Sequence, residues 1–376
     1  MVRYRRKKIL FVIPSLAGGG AEKVLIYLLQ YLNRDSFCPI LVVFNEKNAY
    51  ANQIPKDVVR LNLKKKSPLD FFRLIIQLSQ IIRREQPGFI VSFLTYANYL
   101  TLVANSCVHH KIPVILTEHN TLSRSLTDER LGCIKKRIIK RFYPKAERII
   151  AVSQGVKEDL ISRYFLFPNK ISVIYNSIDG ERISDLTREK VDHPWFNHKI
   201  PLIVSAGRLA AQKNYPLLFK AIAKLKDETN VRLMILGDGE DRSMLEIIAG
   251  RLGISERVHF MGFQSNPYKY MARGTIFVLS SSWEGFGIVI IEAMACGIPV
   301  ISTNCSSGPD EIITNGINGL LVPVHNIDTM AQAISKLLKD EPLRKKLAEA
   351  GKKRAEDFRV EKMVRKYEKV FEEAGR

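Results

Sequence analysis

The stretch Ser282-Trp-Glu-Gly-Phe-Gly-Ile-Val-Ile-Ile-Glu-Ala-Met-Ala-Cys-Gly-Ile-Pro-Val300 contains two glutamates, Glu284 and Glu292. Gly285 and Gly287 leave the backbone beside the first glutamate bare enough for a ligand to approach closely. The second glutamate lies in an apolar run that predicts a buried helix, which argues against two acids on a solvated face. Along a helix, their spacing spans roughly 12 Å. That is about the reach needed to hold both ends of a sugar nucleotide, with its phosphates at the helix N-terminus.

The bulk composition bounds the class of protein. With 376 residues, the chain is too long for one ordinary core and suits two domains of about 180 residues each. A hydrophobic content of 46% and a charged content of 26% are those of a soluble globular protein. Its five cysteines are scattered and odd in number, which favours a reducing cytosol over a disulfide framework. We recognise no metal-binding histidine pattern and no secretory signal, so we expect no metal cofactor and no export.

The net charge of +20 is unevenly distributed. Residues 1–180 contain 29 lysines and arginines against 13 acidic residues, whereas residues 181–376 contain 29 against 25. The first half is therefore suited to an anionic partner. A nucleic acid, an acidic membrane surface and a phosphorylated acceptor all meet that description.

Short apolar runs alternate with helical stretches along the first half of the chain. Continuous apolar strands separated by amphipathic helices predict a parallel sheet covered on both faces. The predicted strands are Lys8–Ile13, Ile40–Phe44, Phe89–Phe93, Val114–Thr117, Ile149–Val152 and Ile171–Ile174, and the predicted helices include Ala21–Leu32 and Asp70–Arg84.

The alternation restarts after residues 178–199, a polar stretch that we interpret as a linker and the entry to a second domain. The predicted strands there are Leu202–Ser205, Arg232–Leu236, Val258–Phe260, Ile276–Leu279, Pro299–Ser302 and Gly319–Val322. From Ile327 onward the sequence is helical, with Pro342 starting one helix and Val360–Ala374 forming the last. The chain is therefore expected to be an α/β protein with two parallel sheets.

One uncharged stretch, Gln86–Val108, is long enough to suggest a transmembrane helix. Pro87, Gly88, Asn98 and Asn105 interrupt its apolar character. A buried strand followed by a buried helix fits this stretch better.

Several residues suited to binding directly follow predicted strands, and open parallel sheets bind ligands outside the carboxyl ends of their strands. Gly18, Gly19 and Gly20 follow the first strand and place bare N–H groups at a helix N-terminus, which suits an anion. An ordinary tight turn has the same composition. His119 follows the fourth predicted strand, where a histidine is as often structural as functional.

Arg208 and Lys213 flank a short loop in Ala206–Asn214, after the first strand of the second half. Two fixed cations after a strand suit an anionic ligand. The arginine can contact two oxygens at once, and the lysine supplies a point charge. Two solvated surface cations are the simpler alternative. Gly237 begins a turn after the next strand, a weak signal because Asp-Gly is also an ordinary turn.

Ser282–Val300 and Ala206–Asn214 together resemble the nucleotide-sugar site of the retaining glycosyltransferases of the large family 4 group, which have the GT-B fold. The second stretch matches the Gly-Arg-Leu-x-x-x-Lys signature of that family, and the resemblance covers nearly the whole chain. It implies two Rossmann-like domains with parallel sheets facing across a cleft, and a C-terminal helix crossing back to the N-terminal domain. The implied bounds are 1–180 for an acceptor-binding domain, 181–358 for a nucleotide-sugar-binding domain and 359–376 for the helix.

The resemblance also implies roles for the candidate residues. Arg208 and Lys213 would hold the diphosphate, Glu284 would orient the transferred sugar, and Glu292 would accept hydrogen bonds from the ribose. His119 would hydrogen-bond the sugar near the reaction centre. The donor would also lie against Gly18, Gly19, Gly20, Gly237, Phe286, Gly287 and Ile288. No side chain is an evident covalent nucleophile, which agrees with the same-face route proposed for this family.

Residues 128–142 predict a helix whose apolar stripe, formed by Leu131, Ile134, Ile138 and Phe142, is surrounded by lysines and arginines. Such a helix suits the surface of an anionic membrane, although a core-facing helix with a basic solvated back shows the same pattern. We expect the acceptor, a lipid-linked sugar or another glycan, to be met there. The protein is accordingly expected to be cytoplasmic and peripheral on the inner face of the cell membrane.

The sequence thus predicts a metal-independent retaining glycosyltransferase that moves a hexose or N-acetylhexosamine from a UDP-sugar to a lipid-linked or polysaccharide acceptor. A UDP-sugar epimerase of the same fold is an alternative, although it needs acid–base residues that are not clearly displayed. A non-catalytic basic binding protein is another, either a membrane scaffold with an inactive cleft or a nucleic-acid binder. The aromatic–basic interleaving of a known nucleic-acid module is missing, so we expect no nucleic-acid partner.

Overall fold

The computed structural model describes residues 6–46, 49–126, 132–197 and 200–374. The chain divides into two compact units. The first unit is Met1–Asn176 together with Val360–Arg376, and the second unit is Ser177–Arg359.

The first unit is built on a parallel sheet. Within the described residues its strands are β1 (Lys7–Ile13), β2 (Phe37–Val43), β3 (Val59–Asn62), β4 (Phe89–Phe93), β5 (Val114–Glu118), β6 (Arg148–Ala151) and β7 (Ile171–Val173). They are ordered β3-β2-β1-β4-β5-β6-β7 and all pair in parallel. All residues of β4 and β5 are buried, because helices cover both faces of the sheet at its centre.

Two helical layers cover this sheet. The helices of the first unit are α1 (Gly20–Tyr31), α2 (Phe71–Glu85), α3 (Thr95–Ser106), α4 (Leu122–Ser125), α5 (Gly132–Phe142), α6 (Gln154–Tyr164) and, from the far end of the chain, α15 (Val360–Ala374). The connection from β1 to β2 and the connection from β4 to β5 run in opposite directions across the sheet. Since such crossovers are right-handed, α1 and α3 lie on opposite faces. α15 packs beside α1, and α2, α3 and α5 adjoin in that order.

The second unit repeats this plan with a smaller parallel sheet. Its strands are β8 (Leu202–Ala206), β9 (Arg232–Leu236), β10 (Val258–Phe260), β11 (Ile276–Leu279), β12 (Val300–Thr303) and β13 (Leu320–Val322), ordered β10-β9-β8-β11-β12-β13. Its helices are α7 (Gly180–Thr187), α8 (Tyr215–Leu225), α9 (Arg242–Arg251), α10 (Tyr268–Met271), α11 (Ile288–Ala295), α12 (Pro309–Ile312), α13 (Ile327–Lys339) and α14 (Glu341–Ala355).

The predicted α/β class with two parallel sheets is confirmed. Several elements were not predicted, and β3 and α7 show why. β3 was missed because it is a short edge strand whose Arg60 and Asn62 break the apolar pattern. α7 lies inside the stretch interpreted as a linker, where the Asp179 side chain accepts a hydrogen bond from the Arg182 N–H at 2.9 Å and caps the helix.

Two stretches of the sequence, Gln86–Val108 and residues 128–142, were considered for contact with a membrane. Gln86–Val108 forms β4 and α3, as expected, and none of the described helices is both long and apolar enough to span a bilayer. In α5 the predicted apolar stripe is not the buried face. Ile139 is buried instead, whereas Ile134 is exposed. Residues 128–131 of that prediction lie outside the described residues.

Candidate functional site

β8 and β11 are neighbours at the centre of the second sheet, although β9 and β10 separate them in the sequence. From these two strands the chain builds the sheet outward in opposite directions. The loops that follow β8 and β11, residues 207–214 and 280–287, therefore flank the point at which open α/β sheets bind ligands.

Lys213 and Glu284 meet between these two loops. The ammonium Nζ of Lys213 lies 2.6 Å from Oε1 of Glu284, and the Ser281 hydroxyl donates to the same oxygen at 2.7 Å. The two charged side chains are only 15% and 8% exposed. Because a buried charge needs a partner, removing either one would leave the other uncompensated.

Hydrogen bonds between the loops hold this pair in place. The Gln212 carbonyl accepts from the Ser282 N–H at 2.8 Å, and the Gln212 side chain donates to the Trp283 carbonyl at 2.9 Å. The Ser280 hydroxyl donates to the Lys213 carbonyl at 2.8 Å. The backbones on either side of the pair therefore form one connected structure.

Arg208 does not join this pair. Its guanidinium Nη2 lies 2.9 Å from the carboxylate of Glu240, and the two side chains are 72% and 55% exposed. An exposed ion pair of this kind contributes at most about 1 kcal/mol to stability. Glu240 is therefore a partner that an anionic ligand can replace at little energetic cost.

Gly237 supports the loop that carries Arg208. Its φ of +149° and its close approach to the first loop both require glycine, since a Cβ there would lie 2.0 Å from the Gly207 carbonyl oxygen. The Gly207 N–H donates to the Leu236 carbonyl at 3.0 Å, and the Gly237 N–H donates to the Gly262 carbonyl at 2.9 Å. In this structure Gly237 lets its own loop pack closely against the loop that carries Arg208.

Glu292 is buried in α11, where the Tyr268 hydroxyl donates to its Oε1 at 3.2 Å. α11 begins at Ile288, and Gly287 precedes it in a left-handed conformation with φ of +87°. Glu284 therefore lies in the preceding loop. The prediction that Glu284 and Glu292 are spaced along one helix is wrong, because only Glu292 is on the helix.

Phe286 and Ile288 lie at the start of this helix. The Phe286 ring is buried against Phe358, with ring centroids 5.5 Å apart, and Ile288 is half-buried. Gly308 approaches the main chain of Phe286 so closely that a Cβ there would lie 2.2 Å from its carbonyl oxygen. The Phe286 ring thus belongs to the interior of the unit.

The predicted glycine loop lies in the first unit, between β1 and α1. Gly18 has a φ of +106°, and Gly19 and Gly20 lead into the helix. The buried Glu22 carboxylate turns back towards this loop, since a Cβ on Gly19 would lie 2.5 Å from its Oε2. Burial raises the pKa of Glu22. The helix N-terminus therefore already faces a carboxyl group of the chain, which suits a ligand hydroxyl better than a phosphate.

His119 follows β5 and is buried beside Phe93, with the two rings stacked at a centroid distance of 5.6 Å. Its Nε2 lies 3.1 Å from the Thr117 hydroxyl oxygen, and burial lowers the pKa of the imidazole to about 3. Nδ1 has no hydrogen-bond partner within the part of the chain that the structure describes. Because buried polar atoms are normally paired, this nitrogen is a candidate ligand contact.

The carboxyl group of Glu118, next to His119, was not among the predicted site residues. It accepts hydrogen bonds from the Asn98 amide at 2.7 Å, from the Thr95 hydroxyl at 3.2 Å and from the Tyr143 hydroxyl. Burial nevertheless raises the pKa of Glu118 to about 7. A strongly shifted carboxyl at the end of a central strand is typical of functional sites.

The structure thus brings Lys213 and Glu284 together, and it gives Arg208 and Glu292 partners that the sequence did not indicate. Ser281 could have been found, because it lies three residues before Glu284 in the same stretch. Tyr268 could not, because it comes from a separate short helix.

Family models match both halves of the chain. Residues 18–182 match the model described as Glycosyltransferase Family 4, and residues 188–354 match the model described as Glycosyl transferases group 1.

Two curated relatives resemble most of the chain. The N-acetylgalactosamine-N,N'-diacetylbacillosaminyl-diphospho-undecaprenol 4-alpha-N-acetylgalactosaminyltransferase of Campylobacter jejuni is 34% identical over 367 residues, which are 96% of this chain and 98% of that protein. The lipopolysaccharide core biosynthesis glycosyltransferase LpsE of Rhizobium meliloti is 29% identical and covers 89% of each chain.

Among solved structures, HepE of Anabaena in complex with UDP-glucose has a TM-score of 0.83 at 23% identity, covering 98% of this chain and all of that one. At that identity the likeness shows the fold alone.

Proposed function

The chain belongs to the family 4 and group 1 glycosyltransferases, and from this premise we propose that it moves a hexose or N-acetylhexosamine from a UDP-sugar to a lipid-linked or polysaccharide acceptor. We propose further that the sugar keeps its anomeric configuration. The acceptor would be met at the cytoplasmic face of a membrane, with residues 128–142 contributing positive charge there.

The contact between Lys213 and Glu284 carries this proposal. It puts a cation and a carboxylate together at the ligand-binding edge of the second sheet, with Lys213 buried enough for its charge to act strongly. In the proposed complex Lys213 and Arg208 hold the diphosphate as the bond between sugar and phosphate oxygen breaks. Glu284 orients the sugar, and Glu292, with Tyr268, holds the ribose.

The names of similar proteins support the choice of substrates. The Campylobacter relative is named for a diphospho-undecaprenol substrate and for the transfer of N-acetylgalactosamine. The Anabaena protein of the same fold was solved with UDP-glucose. A UDP-sugar donor and a lipid-linked acceptor are therefore the first substrates to test.

The first unit would supply contacts to the sugar and the acceptor. In the proposed reaction His119 accepts a hydrogen bond from a sugar hydroxyl through Nδ1. The glycine loop with Glu22 would bind further hydroxyl groups. The acceptor oxygen would attack the anomeric carbon on the face from which UDP leaves, and its proton would pass to the departing phosphate oxygen. This route retains the configuration without a covalent enzyme intermediate. Catalysis would then rest on positioning and on electrostatic stabilisation of the departing UDP, with no metal cofactor.

The test is UDP release from UDP-glucose, UDP-galactose, UDP-N-acetylglucosamine and UDP-N-acetylgalactosamine, with a membrane lipid extract as acceptor and with or without EDTA. Arg208→Ala is expected to lower turnover about 100-fold or more, because a cation that stabilises the leaving group is lost. Its melting temperature should stay at the parent value, because the Arg208–Glu240 pair is exposed.

Arg242→Ala is the matched control. Arg242 contacts Glu246 through Nε at 3.0 Å, as Arg208 contacts Glu240 through Nε at 3.0 Å, and both arginines lie in the second unit. Arg242→Ala should keep the parent rate. Transfer by Arg208→Ala at the parent rate would contradict the diphosphate assignment. Conversion of the UDP-sugar without an acceptor would indicate an epimerase.

A further inference from the structure

Helix α2 carries an apolar stripe that the first unit does not bury. Leu69, just before the helix, is 89% exposed, Phe72 is 76% exposed and Ile76 is 58% exposed. Phe72 and Ile76 are four residues apart and lie on one face of α2, and Leu69 lies in the turn Pro68–Asp70 that leads into the helix. The other side of α2 supplies the interior residues Leu74, Ile75, Leu78 and Ile82. Contiguous apolar side chains with this exposure indicate an interaction surface.

A lysine-rich segment is fixed beside this stripe. Lys64 and Lys66 are exposed. The Arg73 guanidinium donates to the Lys64 carbonyl at 2.8 Å and to the Asp70 carboxylate at 2.7 Å. The same carboxylate accepts from the Lys66 N–H at 2.7 Å. These bonds hold the lysine backbone against the first turn of α2, so positive charge and apolar surface are presented together.

The helix α5, which the sequence singled out, offers less apolar surface. Ile134 is 56% exposed, but Ile138 and Phe142 are half-buried. α3 adjoins both α2 and α5, so the two helices belong to one layer of the first unit. In this layer α5 contributes mainly positive charge, and α2 contributes the exposed apolar side chains.

We propose that α2 is the element through which the first unit binds an anionic lipid bilayer. Leu69, Phe72 and Ile76 enter the headgroup region, and Lys64 and Lys66 contact lipid phosphates. This inference deepens the proposed function, since it moves the apolar part of the membrane contact from α5 to α2. It places that contact at the start of α2, which follows the carboxyl end of β3 on the ligand-binding edge of the first sheet.

The chemistry of the surface favours a bilayer over a second copy of the chain. The stripe from Leu69 to Ile76 spans roughly 10 Å along the helix. An amphipathic helix lying in the bilayer interface needs only its apolar face buried, by about 5–10 Å. A stable protein interface buries about 1,200 Å² or more, which is a large area for three side chains to supply. A symmetric dimer through this face would also bring the lysine segments of two copies together, and like charges repel.

Sedimentation of the full chain with vesicles tests the proposal. We expect binding to vesicles of phosphatidylcholine mixed with phosphatidylglycerol, and much weaker binding to phosphatidylcholine alone. Ile76→Glu and Phe72→Glu should each weaken binding to the anionic vesicles about tenfold or more, because each puts a charge where an apolar side chain enters the interface.

Ile247→Glu in α9 is the matched control, because Ile247 is 56% exposed and Ile76 is 58% exposed. It should bind as the parent does. The proposal is overturned if the parent does not bind anionic vesicles. It is also overturned if Ile247→Glu weakens vesicle binding as much as Ile76→Glu does. A parent dimer that Ile76→Glu dissociates would assign the stripe to a second copy instead. Sedimentation needs neither donor nor acceptor, so its result stands apart from the transfer assay.

Discussion

At the scale of single residues, Thr117 decides which ring nitrogen of His119 carries the proton. The Thr117 hydroxyl donates to the Ser92 carbonyl at 3.1 Å, so its oxygen remains to accept from the Nε2–H of His119. Nδ1 then keeps its lone pair. Because burial lowers the pKa of His119 to about 3, the ring is neutral near physiological pH and accepts a hydrogen bond through Nδ1.

We therefore predict that Thr117→Val changes the tautomer balance of His119. In the parent, the ¹⁵N shifts of the ring should report a proton on Nε2. Thr117→Val removes the acceptor and should produce a mixture of tautomers, whereas Thr117→Ser should restore the parent spectrum. A parent spectrum from the valine variant would show that Thr117 does not fix the ring.

Glu118 is expected to make the stability of the first unit depend on pH. Its folded pKa of about 7 lies above the ordinary value of 4.5. Its stabilising contribution is therefore complete below the ordinary pKa and is lost as the pH rises through about 7. Between about pH 5 and about pH 8, the parent should lose on the order of 3 kcal/mol of unfolding free energy relative to Glu118→Gln.

Denaturant unfolding at several pH values measures this difference. Glu147→Gln, at an exposed carboxyl of the same unit, is the control and should follow the parent. His119 contributes a pH dependence of the opposite sign, because its lowered pKa makes the unfolding free energy fall as the pH falls. This contribution is present in every variant, so it cancels in the difference between them. A constant difference between parent and Glu118→Gln would show that the folded pKa of Glu118 is not raised above its ordinary value.

The sequence was sufficient to select Arg208, Lys213, Glu284 and Glu292 as candidates, because each lies in a loop or helix directly after a strand. The sequence could not predict which of these residues contact one another. Lys213 and Glu284 are 71 residues apart, and their contact depends on β8 lying beside β11. Which strands lie side by side depends on the order of strands in the sheet, and the sequence pattern of a single strand does not specify that order.

At the scale of elements, α15 completes the core of the first unit. The Phe371 ring lies 5.0 Å from Phe89, 5.9 Å from Phe37 and 6.3 Å from Phe11, measured between centroids. Since these rings belong to three different strands, this one side chain joins the helix to the middle of the sheet.

Phe371→Ala is predicted to destabilise the first unit by about 3–5 kcal/mol, because it leaves a large cavity among aromatic rings. The measurement is denaturant unfolding. Glu372→Ala changes the neighbouring exposed residue and should stay within about 0.5 kcal/mol of the parent. Equal stability of the two variants would mean that α15 adds little to the core.

Strands buried on both faces were the easiest elements to predict. Phe89–Phe93, Arg232–Leu236 and Ile276–Leu279 have the predicted bounds, because a short continuous apolar run is typical of a strand that is buried on both faces. The helix α5 was harder. Its sequence has apolar residues on more than one side, and only the packing against the rest of the unit shows that Ile139 is the buried one.

At the scale of the whole molecule, the two units differ in surface character. The first unit carries most of the excess positive charge and the apolar stripe on α2, whereas the second unit holds the Lys213–Glu284 pair. The alternation of strands and helices was enough to predict two sheets. Only the resemblance to the family predicted that Val360–Ala374 joins the first unit, as it does. The amphipathic pattern of this helix shows that one face is buried but does not show which unit buries it.

The return of α15 to the first unit has a consequence for biosynthesis. A ribosome makes β1 to β7 first, yet the aromatic cluster around Phe371 closes only after all of Ser177–Arg359 has been translated. Until then, part of the apolar face of the nascent first sheet stays uncovered. Slow translation through residues 177–359 would therefore lengthen the time during which chaperones and proteases can reach that face.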